Sequence, residues 1–129
     1  MLENFIFEMK SDKPFEVVAE NIEKQTAENK FRVLAVHNVQ ETLAEKGLER
    51  GPLKIIEICN AGFAHNALQK DPRVALFMPC RYAVYAENDK TVVKLLSPTM
   101  ISQFMPEAGL DELAGDVDKT MKSIMKASV

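Results

Sequence analysis

Hydrophobic and polar positions alternate over Leu2 to Met9, where Phe5, Phe7 and Met9 share one parity, and this predicts a first strand. The period then changes. Ser11-Asp12-Lys13-Pro14 opens a helix, since Pro is tolerated in a first turn and Ser or Asp can cap it. Along that helix Phe15, Val18, Ala19, Ile22 and Thr26 fall on one face and Glu16, Glu20, Glu23, Lys24 and Glu28 fall elsewhere, the pattern of an amphipathic cover for a sheet. Asn29 stops it, and Phe31 to His37 reads as a second strand. Asn38 and Glu41 have capping-box spacing for a short helix ending at Gly47.

A third strand runs from Leu53 to Cys59, with Ile55, Ile56 and Ile58 marking a buried sheet, and Asn60 caps a helix over Ala61 to Lys70. Asp71-Pro72 ends that helix. Val74 to Met78 and Cys80 to Ala86 then form one long strand or two short ones divided by Pro79, which lacks the N–H a ladder needs. Asn88-Asp89-Lys90 turns the chain into a hairpin partner at Thr91 to Leu96. Ser97-Pro98 starts a short helix through Met105, and Asp111 to Ala127 is an amphipathic helix with the stripe Leu113, Ala114, Val117, Met121, Ile124 and Met125. The order β-α-β-α-β-α-β-β-α-α predicts an α+β fold, one mixed sheet of about five strands with helices packed on it, in a single domain spanning residues 1–129. The helix-bearing connection between the second and third strands suggests a parallel crossover, which would bring His37 and Cys59 to one sheet edge.

Composition changes this picture mainly by exclusion. With 47% hydrophobic and 27% charged residues the chain belongs with folded globular proteins rather than disordered ones. A net charge of -3 supplies no basic face, which argues against nucleic acid and anionic membranes as partners. The acidic, short apolar start does not match a signal peptide, and no apolar run reaches bilayer length, so the expectation is a cytoplasmic protein with free thiols.

The candidate chemistry lies between Ile55 and Arg81. Cys59 sits where a strand gives way to a helix, and the partial positive charge of a helix start favours a thiolate. Cys59 with His37 suggests a nucleophile and its base, or two ligands for a borderline metal, with Cys80 completing the set. The competing reading is that both cysteines pack as small hydrophobes and His37 is a satisfied, half-buried ring. Glu57, alone among isoleucines, needs a partner if buried and is an acid/base candidate. Asn60 and Arg81 are candidate ligand contacts, Arg81 for an anion or thiolate, although such an Arg is more often salt-bridged at a surface. His65 points away from its helix's inner face. Met100, Met105, Met121 and Met125 read as core or interface packing rather than soft-metal capture. Phosphate-loop, dinucleotide and common hydrolase motifs are absent, and the identity of any cofactor stays unknown at this point.

Phe31 to Gln40 (FRVLAVHNVQ), Ile55 to Asn60 (IIEICN), Ala64 to Leu68 (AHNAL) with Asp71-Pro72, and Phe77 to Tyr85 (FMPCRYAVY) ending at Ser97-Pro98 together resemble the domain-of-unknown-function family 302. The resemblance implies a compact α+β domain that tends to form homodimers, with no established activity. The family pattern favours Pro after Cys-Asn, Gly before Phe31 and a Gly-containing turn near Asp89. This chain has Ala61-Gly62, Lys30 and Asn88-Asp89-Lys90 there. The resulting expectation is a small soluble homodimeric binding module for a small ligand or metal at a Cys/His site. The alternatives are a thiol-dependent enzyme or sulfur carrier using Cys59, and an interaction protein with no catalytic site.

Overall fold

The computed structural model describes Met1–Val129. Its strands are β1 (Ile6–Ser11), β2 (Arg32–Asn38), β3 (Leu53–Cys59), β4 (Cys80–Glu87) and β5 (Lys90–Leu96). They form a five-stranded sheet in the order β1-β5-β4-β3-β2. The helices are α1 (Phe15–Glu28), α2 (Val39–Ala44), α3 (Ala61–Lys70), α4 (Met100–Phe104) and α5 (Asp111–Ser128). The α+β class and the five strands stand as the hydrophobic pattern predicts.

The expected parallel crossover does not form, because every neighbouring pair of strands is antiparallel. The reason is the length of α2. A parallel return past a strand of seven residues must cover roughly 23 Å, which takes a helix of about fifteen residues, and α2 has six. The chain folds back instead, placing His37 opposite Ile55 and Arg32 opposite Cys59.

Two other segments depart from the sequence pattern. Leu2–Phe5 is a 3-10 turn ahead of β1, and Pro72–Phe77 is a 3-10 helix rather than a strand. In the latter, the Asp71 side chain accepts from the Arg73 N–H and Pro72 occupies the first turn, so Val74 and Phe77 recur at the three-residue period.

One face of the sheet is buried. Ile56 and Ile58 of β3, Tyr82 and Val84 of β4, and Val93 and Leu95 of β5 pack against Val18, Ala19 and Ile22 of α1 and Met121, Ile124 and Met125 of α5. The Tyr82 hydroxyl, fully buried, donates to the Met121 carbonyl at 2.9 Å and joins sheet to helix. Asp118, on the inner side of α5, accepts from Ser97 at 2.5 Å and pairs with Lys122 at 2.9 Å, so this buried carboxylate is satisfied.

The opposite face presents Leu53, Ile55 and Glu57 of β3, Arg81, Ala83 and Tyr85 of β4, and Leu96 with Ile6 at one margin. Its centre is half-buried, and Ile6 and Leu96 at the margin are 40% and 42% exposed. At two turns residues other than glycine take positive φ: Lys30 after α1 (φ 64) and the Asn88-Asp89 hairpin (φ 49 and 63). These are the positions where the family pattern favours glycine, and here L residues carry the left-handed conformation.

Candidate functional site

The end of β3 and the start of β4 meet α3, the Pro72–Phe77 helix and the first half of α5 around a cavity of about 70 Å³. Its walls are almost wholly apolar, formed by residues such as Phe31, Phe63, Ala67, Val74, Ile101 and Val117, with Cys59, Asn60 and Cys80 at the sheet end. A second buried cluster of Ala67, Val74, Ile101, Met105 and Leu110 braces the far wall. Arg73 ties that wall together from outside, bonding Asp71 at 2.6 Å and Glu107 at 2.8 Å and holding both carboxyls below their usual range.

Antiparallel pairing brings Cys59 and Cys80 to the same end of the sheet, since Ile58 lies opposite Cys80. By strand alternation Cys80 takes the parity of the main core with Ile58 and Cys59 that of Glu57, yet at this strand end both thiols line the same cavity. Both are free thiols. Burial pushes Cys59 above its ordinary value, and burial with the Cys59 thiol nearby takes Cys80 to about 11, opposed only partly by Arg81. The thiolate expected at a helix start is therefore not favoured. Cys59 precedes the cap, and the free Phe63 N–H at the helix entrance is already taken by the Asn60 side chain at 3.0 Å.

The structure does not bring His37 and Cys59 together. His37 lies opposite Ile55, four residues back along β3, or roughly 13 Å from Cys59 along the strand. Instead His37 bonds Glu57 at 2.7 Å on the open face, where the ring is 54% exposed rather than half-buried. Glu57 thus has the partner its position demanded, a diagonal cross-strand neighbour that only the antiparallel register supplies. Asn60 spends both ends of its amide within the chain, accepting from Phe63 and donating to the Lys30 carbonyl at 3.0 Å. Arg81 is exposed, and its guanidinium donates to the Pro79 carbonyl at 3.2 Å. His65 is exposed and bonds Gln69 on its own helix. No group of three or more His, Cys, Asp or Glu side chains is placed to hold a metal ion, so the Cys59, His37 and Cys80 ligand set does not assemble.

Phe63, Ala67, Val74, Ile101 and Leu113, which wall the cavity, were not singled out by their chemistry. The signal available for Phe63, Ala67 and Leu113 is the inner-face pattern of α3 and α5, whereas Val74 comes from the Pro72–Phe77 helix and Ile101 from α4.

An open-faced α+β sandwich with an apolar cavity at one sheet end defines the general class of this protein, and no helix is long and apolar enough to cross a membrane. The chain belongs to the DUF302 family: the model of that domain of unknown function matches residues 7–128. It is similar, at 30% identity and a TM-score of 0.91, to the crystal structure of an uncharacterized conserved DUF302 protein from Bacillus stearothermophilus, over 97% of this chain and 98% of that one. No curated protein matches.

Proposed function

We propose that this chain is a small homodimeric binding module that takes an apolar small molecule into the cavity at the end of β3 and β4. The observation that carries the reading is the cavity wall: 15 of its 18 residues are hydrophobic, and its one amide side chain, Asn60, is already bonded within the fold. A lining of this kind excludes water and selects ligands that need few hydrogen bonds. The thiols stay protonated at neutral pH and act there as soft packing surface.

The open sheet face supports the homodimer. It combines an apolar centre of Leu53, Ile55, Ala83 and Tyr85 with charges of both signs in the Glu8–Lys94 pair and with the Arg81 guanidinium. A two-fold related copy can therefore set cations against carboxylates while burying the centre. Sedimentation of the wild type should give a dimer and Ala83→Glu a monomer, and a monomeric wild type overturns this part of the reading.

Titration with 1-octanol, followed by amide NMR, tests the cavity. Signals from Phe63, Ile101 and Ala114 should move in the wild type and stay still in Ala67→Leu, which fills the space. Absence of movement in folded wild type at saturating octanol overturns the reading.

A further inference from the structure

Resting on the cavity reading above, we infer that the ligand is an amphiphilic monocarboxylate, its apolar end in the cavity and its carboxylate on Arg81. The cavity is about 70 Å³, less than half the roughly 150 Å³ of an apolar cavity known to admit benzene. A ligand larger than a few carbons must extend outward. The direction is set by a second, larger groove of about 220 Å³, lined by Leu76, Leu96, Met100 and Arg81. The two spaces share Phe77, Pro79, Cys80, Pro98 and Ile101 as a common wall. Phe77, half-buried on its 3-10 helix beside a Leu76 that is 85% exposed, belongs to that shared wall, so a chain running between the two spaces passes it.

Arg81 gives this groove a charged end. Its cross-strand neighbour is Glu57, which would ordinarily pair with it. His37 holds that carboxylate at 2.7 Å, and Arg81 forms no ion pair with any side chain. A guanidinium in this position keeps donors free for a planar carboxylate in fork geometry. An apolar groove with a single unpaired cation selects a ligand with one negative end and an unbranched apolar body.

The experiment compares sodium octanoate with 1-octanol by calorimetric titration of the full chain, using wild type, Arg81→Gln and Ala67→Leu, at pH 7.5 and two salt concentrations. Octanoate should bind wild type at least tenfold more tightly than octanol does, with the advantage shrinking at high salt. Arg81→Gln should lower octanoate affinity at least tenfold more than it lowers octanol affinity, and Ala67→Leu should weaken both. Equal binding of octanol and octanoate, or an octanoate affinity indifferent to Arg81→Gln, overturns the carboxylate assignment while the cavity reading stands. Failure of both compounds to bind folded wild type overturns both.

Discussion

Replacing Cys80 with alanine removes a thiol that the fold keeps protonated. Its value rises from 9.0 to about 11 because protein crowds the sulfur and the Cys59 thiol lies nearby. The charged form of a thiol is the deprotonated one, so as pH rises the unfolded chain releases this proton before the folded chain does. Stability from this group is therefore complete below pH 9.0 and is lost as pH climbs towards about 11. By about pH 10.5 that loss reaches up to about 2 kcal/mol, since each unit of separation is worth about 1.4 kcal/mol. Burial also pushes the Tyr82 phenol upward, adding a loss of the same sign at higher pH, so the informative quantity is a difference between proteins. Urea unfolding of wild type and Cys80→Ala at about pH 8 and about pH 10.5, followed by circular dichroism, supplies it. The wild type should lose about 2 kcal/mol more than the variant between the two conditions, and any fixed cost of the truncation cancels. Parallel losses would refute the claim that the fold holds this thiol neutral.

Lys30→Gly should raise the melting temperature by about 2–4 °C. Releasing an L residue from φ 64 gains more than the extra unfolded-state freedom of glycine removes, a net of about 0.5–1 kcal/mol, whereas Lys30→Ala should gain nothing. Asp89→Gly, at φ 63 in the hairpin turn, should behave similarly in a thermal scan, and a lower melting temperature for both would refute the account. Tyr82→Phe should cost about 1 kcal/mol in urea unfolding by removing the hydroxyl that reaches the Met121 carbonyl. Ile56→Ala, at a fully buried position between α1 and the sheet, should cost about 2–5 kcal/mol, and a loss under 1 kcal/mol would show that the site collapses around the smaller side chain.

Where periodicity and capping chemistry decide a local structure, the chain was legible. The stripe Val18, Ala19, Ile22 and Thr26 is fully buried, and Asn38 and Asn60 cap the helices that follow them. The site was less legible, because strand direction decides which residues meet. A connection containing a helix suggests a parallel return, but the short α2 cannot span the strand, and reversing one strand moves His37 from Cys59 to Glu57. Val74 to Met78 reads as a strand by composition, yet Asp71 and Pro72 start a 3-10 helix there, and that helix supplies Val74 and Phe77 to the cavity. Both cysteines were visible as residues. Their raised thiols depend on packing from α3 and α5 that no local pattern records.

The irregularity between Val33 and Ala35, where the pairing of β2 with β3 slips, bears on how the sheet ends. β2 is one of the sheet's two edge strands, and Leu34 at the slip is 50% exposed. A regular margin carrying such a leucine would offer its unpaired amides and carbonyls to a further strand, the first step towards a ribbon of many copies. The slip bends that margin out of line, so a foreign strand meets no continuous row of hydrogen-bonding groups, and unlimited lateral growth is discouraged by the backbone itself.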